Sequence, residues 1–274
     1  MIVVTGGTGN VGRALVAQLA AHGEAVTAVA RHITSEDVPA GVRAVAADLG
    51  QPAGLASALE GATALFLLVA GDDPEGILKQ AAVAGVTKVV LMSSQGVGTR
   101  PHSYAHAAGF EAALAGSGLA FTVLRSGGLA SNAFAWAEPI RRHRTVAAPF
   151  ADVALPFVDP DDVAAVAAAV LRQDGHDGVT YTLTGPEAVS PRQRAAAIAQ
   201  ALAEPVTFVE QSREEARAQM AQFMPSDDVL EGTLSILGEP TAEEQAVSGD
   251  VARILGRPAN PFAAWAARNA PAFR

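Results

Sequence analysis

The chain has 274 residues, 50% of them hydrophobic, with a formal net charge of −9 and no cysteine. That length suffices for one large core, or for one core with a small lobe. The missing cysteines exclude disulfides, thiolate catalysis and thiolate metal sites and suit a reducing, cytoplasmic setting, and the acidic balance argues against nucleic acid as a partner. With no unbroken apolar run of 18 residues, no membrane span is expected. The chain opens directly on a strand, so no secretory leader is expected either.

The first element is the most informative. Ile2-Val3-Val4-Thr5 reads as a β-branched strand that breaks into Gly6-Gly7-Thr8-Gly9-Asn10-Val11-Gly12 and continues as the amphipathic run Ala14-Leu15-Val16-Ala17-Gln18-Leu19. Such a turn leaves backbone N–H groups and partial positive charge at a helix start, a site for a pyrophosphate. Glycine serves the dihedrals of the turn and keeps Cβ atoms away from the phosphates. The spacing Gly6, Gly9, Gly12 is a G-x-x-G-x-x-G variant of the dinucleotide fingerprint, here in the strand–turn–helix context the motif needs. Thr8, Asn10 and Val11 complete the expected cradle.

A second strand at Ala25–Ala30 ends in Arg31-His32. The usual fingerprint places a carboxylate about 20 residues past the glycines, to bond the ribose 2′-hydroxyl. Here a guanidinium stands there, and a fixed positive fork suits a 2′-phosphate rather than a hydroxyl. Arg31 therefore predicts NADPH over NADH. After a third strand at Val42–Ala46, Asp48 is placed either to accept from the adenine amino group or to cap the helix that follows. Further strands are expected at Ala64–Val69, Val86–Met92 and Phe121–Leu124, with helices at Pro52–Leu59, Glu75–Ala84 and Tyr104–Ala115. Strands that are apolar throughout are covered on both faces, which means a parallel sheet between helix layers. Their alternation with helices gives right-handed crossovers and an α/β, doubly wound (Rossmann-type) sheet.

Beyond Arg125 the regularity falls. Ser126-Gly127-Gly128 reads as a loop, Asn132–Arg142 as a helix, and Asp159-Pro160-Asp161-Asp162 as the cap of a helix through Leu171. The two densest basic stretches, Arg141-Arg142-His143-Arg144 and Arg192-Gln193-Arg194, read as solvated helix ends or loops. Residues 1–150 form the expected NAD(P)-binding domain, with 151–185 returning to it. Residues 186–274 form a smaller, mostly helical substrate lobe over the open end of the sheet.

The chain resembles the NmrA-like group of atypical short-chain dehydrogenases/reductases, which includes NADPH quinone oxidoreductases and azoreductases. The residues that carry the resemblance are Thr5 to Gly12, Arg31, Ser93-Ser94, Glu111-Ala112-Ala113-Leu114, Ser117-Gly118-Leu119, Phe121 to Arg125 and Asn132. Downstream, Val158 to Ala164, Leu183-Thr184-Gly185-Pro186-Glu187, Gly256-Arg257-Pro258 and Trp265 also fit. The resemblance implies that Gly6 to Gly12 hold the pyrophosphate and Arg31 the 2′-phosphate. Val69 and Ala70 would border the adenosine ribose, and Ser93, Ser94 and Gln95 the nicotinamide ribose. Gly127 and Gly128 would form part of the nicotinamide and substrate wall. Phe134, Trp136, Met220, Phe223 and Met224 are candidates to line the substrate pocket.

The departures bear on the chemistry. Short-chain dehydrogenases of the common type use Tyr-x-x-x-Lys, in which the lysine lowers the tyrosine pKa for proton transfer. Here Tyr104 is followed four residues later by Ala108. Members of the group place a Lys or His four residues before the glutamate matching Glu111; this chain has Ala107 there, with His106 displaced by one. Tyr104 and His106 are thus the candidate proton donors, or else plain surface residues on a first helical turn. Ketone reduction needs a proton for the developing alkoxide, whereas a quinone yields a stabilised anion and needs less help. The expected activity is hydride transfer from NADPH to a quinone or similar planar aromatic acceptor, in keeping with an aromatic-polyketide pathway. The alternative is a non-catalytic NADP(H)-binding redox sensor. No metal is expected, and a homodimer through the outer helices stays open.

Overall fold

The structure, a computed structural model, describes all 274 residues. Nine strands occur: β1 (Ile2–Thr5), β2 (Val26–Ala30), β3 (Arg43–Ala46), β4 (Ala64–Leu68), β5 (Lys88–Ser94), β6 (Ala120–Ser126), β7 (Thr145–Pro149), β8 (Val179–Leu183) and β9 (Thr207–Gln211). Seven of them make one sheet in the order β3-β2-β1-β4-β5-β6-β8. β1 pairs in parallel with β2 on one side (Val3 opposite Thr27) and with β4 on the other (Val3 opposite Leu65). The order reverses at that point. In doubly wound sheets such a switch opens a crevice at the carboxyl ends of the strands, here beside the glycine turn.

The chain divides into two compact units, each assembled from separate stretches. The first comprises Met1–Ser94, Ala105–Arg125 and Pro160–Thr182. Its strands are buried on both faces, as their unbroken apolar sequence requires. Val3, Leu65, Leu67, Val89 and Leu91 meet Ile77 and Leu78 of helix Pro74–Val83 and Phe110 and Leu114 of helix Ala105–Gly116. The alternate residues Val4, Phe66 and Val90, each 0% exposed, point to the other face. There, helices Asn10–Ala21 and Pro160–Arg172 pack along one another.

The second unit comprises Gln95–Tyr104, Ser126–Asp159 and Leu183–Arg274. Its core gathers Ile140, Val146, Ile198, Trp265 and Phe273 where helix Pro191–Leu202 meets helix Phe262–Asn269. Serine and threonine caps with a reciprocal Gln or Glu start three of its helices, at Ser190, Ser212 and Thr241. Residues 186–274 are mostly helical, as expected, but they also contain β9. β9 pairs in parallel with β7, from Thr145 opposite Thr207 to Pro149 opposite Gln211. The expected helices at 52–59 and 132–142 each begin as 3₁₀ turns, Pro52–Leu55 and Ala130–Trp136, and only then become α-helical. No helix is long and apolar enough to cross a membrane.

Candidate active site

The glycine turn is built from β1 outward. Thr5 is buried, its hydroxyl donates to the Phe66 carbonyl at 2.9 Å, and it accepts from the Leu68 amide at 2.9 Å. Gly6 then takes φ +66°, and a Cβ there would lie 2.2 Å from Leu68 Cδ1. A Cβ on Gly12 would lie 2.1 Å from the Gly6 carbonyl oxygen, so that glycine seats the helix against the turn. Gly9 differs: its Cβ would meet only the Gly6 oxygen, at 3.3 Å. Packing therefore asks least for glycine at the one exposed position, where Gly9 caps helix Asn10–Ala21. No side chain caps that helix and no acidic residue stands in its first turn. The cradle is an open, amide-lined, electropositive end, which fits a pyrophosphate.

Arg31 and His32 follow β2 and are both exposed, while Ile33 is buried. The loop is then fixed by Thr34, whose amide and hydroxyl donate to Asp37 Oδ2 at 2.8 and 3.0 Å. The amide bond, with the hydroxyl, holds the Asp37 carboxyl below the usual range. Arg31 forms no ion pair within the chain, so its guanidinium is available to a ligand phosphate. Asp48 Oδ1 accepts from the Gly50 amide at 2.9 Å, and the 3₁₀ turn at Pro52–Leu55 carries no side-chain cap. The carboxylate thus closes its own turn rather than capping the following helix. Val69 and Ala70 sit half-buried just past β4.

At the end of β5, Ser93 is buried and donates to Glu111 Oε1 at 2.6 Å. Arg125 grips the same carboxylate through Nε to Oε1 at 3.1 Å and Nη2 to Oε2 at 2.7 Å. Glu111 is therefore a positioning group for Ser93. The next residue pair divides: Ser94 ends the strand in the first unit and Gln95 begins the second. Within the second unit the Gln95 amide donates to Ser126 O at 2.9 Å and its Nε2 to Glu243 O at 3.2 Å. Nearby, Arg100 reaches Glu244 Oε1 at 2.9 Å and Oε2 at 3.0 Å. Burial works to raise the Glu244 carboxyl, but hydrogen bonds from Arg100, the Thr241 amide and Thr99 outweigh it and hold it at about 2.

Of the candidate proton donors, Tyr104 is half-buried with its ring over Gly96, where a Cβ would lie 2.4 Å from Tyr104 Cε2. Its hydroxyl lies 3.4 Å from Thr233 Oγ1. His106 is exposed on the first turn of helix Ala105–Gly116, edge-on to Phe110 at 5.3 Å between ring centroids. The two belong to different units. Gly127 donates to Leu183 O at 2.9 Å, and a Cβ on Gly128 would lie 2.6 Å from Phe157 Cε1. Phe134 packs on Trp265 and Phe273, at 5.0 and 6.0 Å. Met220 and Met224 lie on Ala216, Leu230 and Leu234, while Phe223 is 66% exposed.

One expectation is corrected. Of the basic stretch Arg192-Gln193-Arg194, Arg192 is solvated and paired with Asp152, but Arg194 is buried beneath Trp136, Phe157 and Phe262. Helical spacing explains it: Arg194, Ile198 and Leu202 recur every four residues on the buried stripe of helix Pro191–Leu202. The same spacing was a signal available in the sequence.

Fold and cradle together define an NAD(P)H-dependent oxidoreductase of the doubly wound class, and residues 6–174 match the NAD(P)H-binding family. The chain belongs to that family. It is 36% identical over 282 residues, 100% of this chain and 99% of the relative, to the (4-alkanoyl-5-oxo-2,5-dihydrofuran-3-yl)methyl phosphate reductase of Streptomyces griseus. It is 29% identical over 285 residues, 100% of this chain and 99% of the relative, to the NAD(P)H azoreductase of Xenophilus azovorans. The NADPH complex of an Escherichia coli NADPH-dependent quinone oxidoreductase superposes with a TM-score of 0.80 at 26% identity, covering 98% of this chain and 99% of that one.

Proposed function

We propose that this chain uses NADPH to reduce a planar, conjugated acceptor, a quinone in the simplest case. The observation that carries the reading is an open glycine turn at a helix N-terminus in a chain without a Tyr-x-x-x-Lys pair. The chain has two lysines, Lys79 and Lys88, and Lys88 is spent on the Gln173 carbonyl at 2.8 Å. The Tyr104 hydroxyl has Thr233 beside it, and Arg100, the cation within electrostatic reach of it, is already held by both oxygens of Glu244. Without such a lysine the usual tyrosine–lysine proton relay that a ketone needs is missing, and a quinone makes little demand of that kind. The relatives named for azo, quinone and furanyl phosphate reduction support an unsaturated acceptor.

NADPH, when bound, supplies the reducing equivalents. In this reading the Gly6–Gly12 amides hold the pyrophosphate, and Arg31 takes the 2′-phosphate and sets the preference over NADH. Val69 and Ala70 border one ribose, and Asp48 stands near the adenine. Ser93, fixed by Glu111 and Arg125, and Ser94 and Gln95 orient the other ribose. Gly127 and Gly128 form part of the nicotinamide and acceptor wall, with Phe134, Trp136, Phe223 and Met224 as its apolar surroundings. Anaerobic mixing with NADPH and a panel of quinones tests the reading through loss of the reduced-nicotinamide absorbance. Tight NADPH binding with no turnover of any acceptor would instead mark a sensor.

A further inference from the structure

Two buried polar side-chain atoms in the chain have no hydrogen-bond partner, Arg194 Nε and Ser131 Oγ. Arg194 is the more demanding of the two. It is 6% exposed, and its guanidinium carbon lies 3.9 Å from the centre of the Phe157 ring, 4.8 Å from Trp136 and 6.0 Å from Phe262. No carboxylate pairs with it and no acceptor takes any of its side-chain N–H groups. The same unit treats its other buried charges differently. Asp159 receives Arg268 and Asn260, and Glu244 receives both arms of Arg100. Aromatic faces attract the cation, but they leave its fork of planar donors unused. Burial pushes the guanidinium down to about 9, which leaves it charged at neutral pH. A buried guanidinium that is charged at neutral pH and has no paired anion is costly unless an anion completes it.

Its neighbours connect it to the acceptor wall. The Phe157 ring that covers Arg194 is the ring that would collide with a Cβ on Gly128. Trp136, the second ring on the cation, ends the same 3₁₀ turn, Ala130–Trp136, that carries Ser131. The Ala130 amide donates to Val158 O at 2.8 Å and the Val158 amide to Gly128 O at 2.9 Å, which fixes this turn to the Gly128 loop. We propose that Arg194 is the subsite for an anionic substituent on the acceptor, a phosphate monoester above all, with Trp136 and Phe157 holding the guanidinium plane. The inference rests on the reading that the chain reduces a planar acceptor, and it adds the charge that acceptor carries. A phosphate accepts two N–H groups of the fork at once, which a neutral quinone oxygen cannot do.

The test uses the full chain saturated with NADP⁺, so that the cofactor's own phosphate sites are filled, and reads tryptophan fluorescence and thermal midpoint. Phenyl phosphate is expected to bind, to perturb the fluorescence and to raise the midpoint, whereas benzyl alcohol does neither. Arg194→Met weakens phenyl phosphate at least about tenfold, and Arg194→Lys falls between, because a point charge replaces a two-point fork. In turnover, Arg194→Met raises KM for a sulfonated naphthoquinone about tenfold more than it raises KM for unsubstituted naphthoquinone. Equal phenyl phosphate affinity in wild type and variant, or an equal rise in both KM values, overturns the proposal. If neither variant folds, the wild-type arm decides: phenyl phosphate binding no tighter than benzyl alcohol overturns it as well. Arg194-dependent anion binding without turnover of any acceptor would defeat the functional reading and leave the anion site standing.

Discussion

Glu111 Oε1 sits between two donors, Ser93 Oγ at 2.6 Å and Arg125 Nε at 3.1 Å, while its Oε2 takes the second arm of Arg125. A carboxylate so engaged fixes a serine at the end of a strand. Glu111→Gln should lower stability in urea unfolding by about 1.5–3 kcal/mol, the range for hydrogen bonds to a charged group. It should also raise KM for NADPH more than it lowers kcat. Ser93→Ala, which removes one bond and leaves the Arg125 fork intact, should cost only about 1 kcal/mol.

The glycines of the turn should separate into two kinds. Gly12→Ala drives a Cβ to 2.1 Å from the Gly6 oxygen, so the helix must shift, at about 1–3 kcal/mol as in other overpacked sites. Gly9→Ala meets only a 3.3 Å contact and should cost about 1 kcal/mol or less at a helix N-cap. Both should weaken NADPH binding, measured by fluorescence titration. A Gly9→Ala chain that binds NADPH as tightly as wild type would remove the pyrophosphate from this turn.

Arg31 is exposed and makes no ion pair, so its removal should leave stability nearly unchanged. Arg31→Ala should raise the Kd for NADPH about 10- to 100-fold, as loss of a charge-assisted fork does, and leave the Kd for NADH where it was. Calorimetric titration with both cofactors gives the answer. An equal loss for both would make Arg31 a general contributor rather than the discriminator.

Tyr104→Phe and His106→Ala, singly and together, should lower quinone turnover by less than about tenfold, against the 10²–10⁴-fold that loss of an obligate general acid costs. Steady-state rates on one quinone suffice. A larger loss in either variant would restore a proton donor to the mechanism and reopen ketone reduction.

The Glu244 carboxyl, held at about 2 in the fold, titrates near 4.5 when the chain is unfolded. Its pairing with Arg100 therefore contributes full stability above pH 4.5, and that contribution is lost as pH falls from 4.5 towards 2. Thermal midpoints across that window should drop in the wild type, and Glu244→Gln should start lower and drop less steeply. Identical slopes would show that this pair does not shape acid unfolding.

Much of the cofactor half was legible because its signals are local. A strand, three spaced glycines and an amphipathic run are read within a dozen residues, and Arg31 stands at a fixed distance from them. β9 escaped because Thr207-Phe208-Val209-Glu210-Gln211 is short, largely exposed and set among helices; its partner β7 is more than fifty residues away. No local period announces such a pairing. Arg194 departs from its sequence expectation for a different reason. A charged residue is solvated by default, and only its four-residue spacing to Ile198 and Leu202 placed it inward. The proton donor stayed open in the sequence because Ala107 and Ala108 stand where a Lys or His would have declared one.

The Thr5 hydroxyl, bonded to Phe66 and Leu68, has a kinetic consequence. It welds the start of the glycine turn to the neighbouring strand, so the floor of the proposed pyrophosphate site is fixed by the chain's own bonds. On the proposed reading, a dinucleotide landing there should have no loop to fold at that end, and its ordering cost should fall mainly on the ligand's own rotors. Capture at the phosphate end should follow the frequency of encounters, with no slow isomerisation behind it.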